Sequence, residues 1–270
     1  MAATGWRHTL RLNVRKTYKL YIGGAFPRSE SGRTYEVDGQ NAALASRKDA
    51  RDAVLAARAA FGKWSTATAY NRGQILYRAA EMLEARRSEF PAGEVDDAID
   101  RLIWYAGWAD KLAQVTGSAN PVAAPYFNIS SPEPSGVIAI AAPAGFLGLV
   151  NVIAPAIVSG NTCVVVTESA IEAITFAEVL ATSDLPGGVV NILTGFAKEV
   201  APWLASHDDV NGLDLTGVTD AELATELERQ AADTLKRVIR PSTPKWTDDP
   251  GLGRMTAFLE TKTVWHPKGV

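Results

Sequence analysis

Residues 135–142 read SGVIAIAA, residues 151–162 read NVIAPAIVSGNT and residues 163–166 read CVVV. The first and last are apolar runs without polar alternation, the pattern of a strand covered on both faces. Between them, Leu147 to Val158 has the length and apolar content of a buried helix. The same alternation continues along the chain. A helical pattern at Ile171 to Thr182 precedes a strand at Val189 to Leu193. A helix at Lys198 to Ala205 precedes a strand at Val210 to Leu215, and a helix at Ala221 to Ala232 precedes a strand at Leu235 to Ile239. Strands and helices in strict succession with short connections predict an α/β fold built on a doubly wound parallel sheet.

Upstream the pattern is helical. Ser46-Arg47-Lys48-Asp49 has capping-box spacing, and Ala50, Ala53, Val54, Ala57, Phe61 and Trp64 follow on one face. A second helix is predicted from about Asn71 to Arg87, with Ile75, Leu76, Ala79, Ala80 and Leu83 inward. A third starts near Glu94, its buried stripe running through Val95, Ala98, Ile99, Leu102, Ala106, Ala109 and Ala113. Tyr18 to Phe26 reads as a short hairpin turning at Gly23-Gly24. Asn120 to Pro134 is punctuated by proline and predicts an extended arm. Arg240 to Gly253, rich in Pro, Asp and Gly, reads as a linker, and Arg254 to Pro267 ends in an alternating strand.

Composition narrows the function classes. The chain has 270 residues, 47% hydrophobic, a net charge of -3 and one cysteine. The charge gives no sign of a nucleic-acid partner. The basic stretch Arg7 to Lys19 (Arg7, Arg11, Arg15, Lys16, Lys19) reads as a solvated N-terminal arm and has no apolar core like that of a secretory signal. No run of about 18 apolar residues is present, so no membrane span is expected. A single cysteine excludes an internal disulfide and fits a reducing, cytoplasmic setting. His8, His207 and His266 lack ligand spacing, so no metal is expected. His207-Asp208-Asp209 reads as a structural turn. Trp104, Tyr105 and Trp108, at helical spacing, read as core or interface.

Several stretches together resemble the aldehyde dehydrogenase superfamily. NVIAPAIVSGNT leading into CVVV is similar to its cofactor-binding domain. LYIGGAFPRSESGRTYEV resembles its N-terminal strands, and DAVLAARAAFGKWSTATAYNRGQILYRAAEMLEARR its first two helices. AIDRLIWYAGWADKL resembles the helix before its bridging arm, and FLETKTVWHP, Phe258 to Pro267, its C-terminal tail. The likeness implies a Rossmann-like cofactor domain over residues 1–119 and 135–240. It implies a bridging or oligomerisation arm and tail at 120–134 and 254–270, with residues 241–253 a linker where the family has its catalytic domain. Between Val238 and the tail stand about twenty residues and no cysteine.

The family's reaction, as the resemblance implies it, needs a cysteine thiolate to attack the aldehyde, an asparagine amide for the oxyanion, a nicotinamide cofactor for the hydride and a glutamate to activate water. Each place differs here. Cys163 stands inside a predicted buried strand and reads as an inert core thiol. The family's Pro-Trp-Asn-Phe is Pro143-Ala144-Gly145-Phe146, with glycine at the asparagine, and Asn151 falls inside the following helix. After Leu235-Lys236-Arg237-Val238 the glutamate and Gly-Gly are replaced by Ile239, Arg240 and Pro241. The ribose-binding lysine is Val166 and the nearby glutamate is Ser169. The Gly-Ser-Thr-x-x-Gly turn is Gly217-Val218-Thr219-Asp220-Ala221-Glu222. Acidic side chains there suit a helix dipole but repel a phosphate. The remaining cofactor-binding candidates are Ala142, Pro143, Gly145, Glu168 and Gly217; no catalytic residue is assigned.

The expectation is therefore a non-catalytic aldehyde-dehydrogenase-like subunit. It would associate through its arm and tail with itself or with a complete, active aldehyde dehydrogenase, as scaffold or regulator, with no cofactor expected beyond weak binding of NAD or NADP. The alternative is an NAD(P)-dependent component with residual nucleotide binding that depends on a partner's catalytic cysteine. A decayed fragment is disfavoured, because apolar periodicity is intact in every predicted element.

Overall fold

Successive residues of the apolar runs turn to opposite sides of one sheet. Ile138, Ile140, Cys163, Val165, Val190 and Ile192 join one core, whereas Val137, Ala139, Ala141, Val164, Val166 and Leu193 join another. This is the period-two alternation of strands covered on both faces. The computed structural model describes residues 14–269. Arg7 and Arg11 of the basic stretch lie outside the described residues. Lys16 within it pairs with Glu178 at 2.6 Å.

The chain opens with β1 (Thr17–Tyr18), β2 (Thr34–Val37) and β3 (Gln40–Ala43), which form a small sheet in the order β1-β3-β2. The turn at Gly23-Gly24 is closed by the pair Ile22–Ala25, and Tyr21 bridges onto the central sheet at Ile192. Three helices follow: α1 (Arg47–Ser65), α2 (Ala69–Ala85) and α3 (Val95–Trp108). The capping box at Ser46 forms as expected, with Asp49 as its reciprocal partner. Every inward residue expected of α2 is buried. In α3 the helix ends at Trp108, and the expected stripe holds through Ala109, which is buried. A short α4 (Leu112–Thr116) then buries Leu112 and leaves Ala113 exposed. Tyr105 is fully buried, with Trp104 and Trp108 packed partly buried beside it.

Next come β4 (Ser118–Asn120) and β5 (Tyr126–Pro134), then the alternating unit. It consists of β6 (Val137–Ala141), α5 (Phe146–Val158), β7 (Thr162–Thr167), α6 (Ala170–Ala181), β8 (Val190–Thr194), α7 (Ala197–Ala205), β9 (Gly212–Asp214), α8 (Ala221–Ala232) and β10 (Arg237–Ile239). The five strands are parallel in the order β10-β9-β6-β7-β8. Helices α2, α3, α5 and α6 cover one face, and α1, α7 and α8 the other. The doubly wound sheet is thus present. Its last two strands are shorter than expected. Leu235 adopts φ 55° and is 90% exposed, so β10 starts two residues later than the apolar pattern implied.

Two segments differ from expectation. The arm and tail, read as an extended arm and an alternating strand that contact another chain, pair with each other. α9 (Gly253–Thr256) leads into β11 (Leu259–Pro267), which runs antiparallel to β5 over nine residues, giving a sheet in the order β11-β5-β4. The segment read as a linker has no regular structure but is packed. Trp246, Leu252 and Ala257 lie on the α2–α3–α5 core, and Met255 and Phe258 are buried in it. Arg101 of α3 donates to the carbonyl oxygens of Trp246 at 2.7 Å and Asp248 at 2.9 Å. Among the described residues no helix is long and apolar enough to cross a membrane.

Candidate functional site

In an open parallel sheet the binding crevice lies at the carboxyl ends of the strands, where the connections reverse direction. Here that point falls between β6 and β9. The residues that follow these two strands close on each other. Gly217 donates its N–H to Ala141 O at 3.0 Å, and a Cβ on Gly217 would stand 2.1 Å from Ala142 O and 2.6 Å from Pro143 N. Ala142, Pro143 and Gly217 are therefore brought together, and only glycine fits the third place. Ala142 in turn donates to Val166 O at 3.0 Å.

A side chain missed in the sequence reading reaches the same spot. Asp214, at the end of β9, is 1% exposed. Arg254 of α9 pairs with its Oδ2 at 2.8 Å and donates to Thr216 Oγ1 at 2.9 Å. The switch point is thus occupied by a guanidinium from the C-terminal segment. Forty residues separate the partners, and nothing in either local pattern marks the pair.

The N-terminus of α5 has the geometry of a preformed anion site: free N–H groups at the positive end of a helix dipole. It is filled by the protein itself. Glu94, which precedes α3, accepts the Leu147 N–H through Oε2 at 2.6 Å. Gly145 caps the helix at φ 88°, ψ 150°, a region essentially reserved for glycine. A Cβ there would lie 3.2 Å from Glu94 Oε2. Asn151 is buried and donates to Leu147 O at 2.9 Å, so its amide is consumed inside the helix. The sequence marked Glu94 only as a helix start, because a cap delivered from 53 residues away leaves no local signal.

The other anion position is closed in the same way. Asp220 Oδ1 accepts the N–H groups of Glu222 at 2.9 Å and Leu223 at 3.2 Å at the start of α8. Behind it, Ala139, Ile140, Val166, Ala201, Leu204 and Leu227, among other apolar residues, line a void of about 10 Å³ between the sheet, α7 and α8. That is room for one water at most. Val166 is 2% exposed. Glu168, two residues on, is exposed, and its backbone carbonyl accepts the Tyr35 hydroxyl at 3.1 Å.

Cys163 lies in β7 with no exposed surface, and burial pushes its thiol far above the ordinary range. His207 accepts the Asp209 N–H through Nδ1 at 3.1 Å and holds the turn between α7 and β9, as its pattern suggested. Among the described residues no group of three or more His, Cys, Asp or Glu could hold a metal ion.

Known proteins share this architecture. The model of the aldehyde dehydrogenase family matches residues 36–240. The chain belongs to that family. It is 31% identical over 255 residues to the putative aldehyde dehydrogenase DhaS of Bacillus subtilis, a match covering 83% of this chain and 50% of DhaS. The crystal structure of HpcC from Thermus thermophilus superposes with a TM-score of 0.75 at 30% identity, covering 83% of this chain and 47% of HpcC. The NAD+ complex of an aldehyde dehydrogenase from Bacillus cereus gives 0.74 at 25% identity, covering 83% and 50%. The chain spans about half the length of these relatives, and the family match ends before the Arg254 and β11 segment.

Proposed function

We propose that this aldehyde dehydrogenase relative is a non-catalytic subunit, a shortened and degenerate member that associates through the β11-β5-β4 sheet with a complete aldehyde dehydrogenase and acts as its scaffold or regulator. The observation that carries the reading is Glu94. Its carboxylate occupies the α5 N-terminus beside Gly145, where the family resemblance calls for an oxyanion donor. A carboxylate there repels a developing oxyanion, the reverse of the preorganised donors that stabilise one. Cys163 adds support: a fully buried, neutral thiol is neither accessible nor nucleophilic.

The same reading extends to the cofactor. NAD+ is present in the Bacillus cereus relative. In this chain the resemblance puts a buried valine, Val166, where a ribose-binding lysine would stand, and carboxylates at Glu168 and Asp220. These residues do not fit a dinucleotide. A pyrophosphate would compete with Asp220 for the N–H groups of α8 and meet its charge at contact distance.

Three measurements test the proposal. Highly purified chain, given a panel of aldehydes with NAD or NADP, is expected to form no reduced cofactor; sustained turnover would overturn the non-catalytic reading. Calorimetry with NAD and NADP at millimolar concentration is expected to show no heat of binding. A saturable signal would instead favour a nucleotide-binding component that borrows a partner's cysteine. Association is read from the native mass of gently purified material, where a full-length aldehyde dehydrogenase in the same particle is the expected result.

A further inference from the structure

Arg101 is a buried cation without a counterion. It is 8% exposed, and its two hydrogen bonds, both from Nη2, go to neutral carbonyl oxygens of Trp246 and Asp248. Among the described residues no carboxylate pairs with it. Its Nε is buried and has no partner. Four residues on, on the same face of α3, Tyr105 is fully buried, and its hydroxyl is also without a partner. Two donors from adjacent turns therefore lack an acceptor.

Arg254 closes the group from the other side. Its guanidinium lies 5.0 Å from the centre of the Trp246 ring, so Trp246 touches one arginine through its carbonyl and the other through its indole. Arg254 is matched by Asp214, whose side chain is 2% exposed. The charges then sum to one unmatched positive, that of Arg101. A buried charge left unpaired is among the most costly arrangements in a protein interior. Water would satisfy the two donors but leave the charge.

Tyr105 is a hydrogen-bond donor under ordinary conditions. Burial pushes its phenol up to about 12, against the opposing pull of Arg101 and Arg254. A single negative charge with lone pairs is the species that satisfies Nε, the hydroxyl and the charge balance together. The burial of both donor atoms limits its size.

We propose that Arg101 Nε and Tyr105 Oη, with Trp246 and Arg254 beside them, bind a small monovalent anion of halide size. The bound anion joins α3 to the 241–253 segment and stabilises the packed position of that segment. Ligand that binds only the folded chain stabilises it by mass action, so the effect saturates with concentration.

The test uses the full chain and sodium chloride or bromide as probe. Crystals grown in sodium bromide are expected to show an anomalous peak between Arg101 Nε and Tyr105 Oη. In solution, replacing gluconate by chloride at constant ionic strength is expected to raise the thermal midpoint saturably. Tyr105→Phe keeps the ring and its packing, and it is expected to weaken the apparent chloride affinity on the order of tenfold or more, the usual effect of losing a hydrogen bond to a charged group. Bromide found only on the surface, or water at this position, would overturn the proposal. So would a chloride response that is absent, unsaturable or unchanged in Tyr105→Phe.

Discussion

Gly145 shows how one residue can decide what a site is able to become. Its backbone sits at φ 88°, ψ 150°, and the Glu94 carboxylate stands where a side chain would grow. Gly145→Asn would restore the family's residue type without restoring its geometry. The substitution is expected to cost roughly 1–3 kcal/mol, the scale of forcing a side chain into a glycine-only region. A lower urea midpoint, with no gain of aldehyde oxidation, is the expected outcome; a gain of turnover would show that the α5 N-terminus rearranges freely. Cys163 makes a second case. Buried in β7 between the parallel strands β6 and β8, its neutral thiol is expected to resist maleimide in the native protein and to react at once in denaturant. Mass spectrometry of pulse-labelled protein reads both states. Rapid native labelling would mean that β7 opens locally, which its place in the centre of the sheet argues against.

Among the elements, the 241–258 segment contributes more than its composition suggested. Phe258 is 3% exposed and lies so close over Gly212 that a Cβ there would be 2.6 Å from its ring. Its backbone carbonyl accepts both the Ser135 N–H and the Asn161 amide. Phe258→Ala is therefore expected to cost about 3–5 kcal/mol, as for other fully buried aromatic rings, measured by chemical denaturation. A second junction is charged. Arg86, at the end of α2, binds Glu89 and, across the core edge, Glu178 of α6. Both carboxyls are held below their ordinary range. In Glu89 the hydrogen bond from Arg86 is the main cause. In Glu178 burial works the other way, and the bonds from Lys16 and Arg86 outweigh it. Because the folded chain holds these groups ionised, their stabilisation is complete above about pH 4.5 and is lost as pH falls through the folded values. Arg86→Gln should flatten that acid limb in thermal melts taken between about pH 3 and pH 6, while leaving its shape near neutrality unchanged. These junctions also mark where sequence reading ran out. The capping box of α1 spans four consecutive residues, and the strands β6 and β7 are continuous apolar runs, so periodicity reveals both. The contacts of Arg101 with Trp246, 145 residues apart, and of Glu94 with Leu147, 53 apart, carry no period. A segment rich in proline and aspartate looks like a linker until its carbonyls find a buried arginine.

At the scale of the whole molecule, the β11-β5-β4 sheet stands apart from the two cores. β11 is half-buried only at its first residue and exposed over the rest, and it forms one edge of its sheet. Register and alternation place Phe127 and Ile129 on one face with His266 and Val264, and put Tyr126 and Trp265 in edge-on contact on the other. Phe127 is 55% exposed, Ile129 52%, Val264 45% and Trp265 57%. Apolar groups on both faces of a long, exposed edge strand are a hazard to a lone protein and a resource to one with a partner. The sheet is secured at its base by other residues. Arg237 binds Glu260 through two hydrogen bonds, and Lys262 pairs with Glu133. Association and folding should therefore separate experimentally. Val264→Lys places a charge beside Ile129 without touching either core, so the unfolding midpoint is expected to shift by no more than about 0.5 kcal/mol. If the sheet is the contact with a complete aldehyde dehydrogenase, the same substitution should release the chain from that particle, because an unpaired lysine buried at an interface costs several kcal/mol. Native mass spectrometry of the co-expressed pair distinguishes the outcomes. Loss of the complex with an unchanged midpoint supports association through the arm and tail. An intact complex means that the partner binds elsewhere and that the exposed sheet serves another contact.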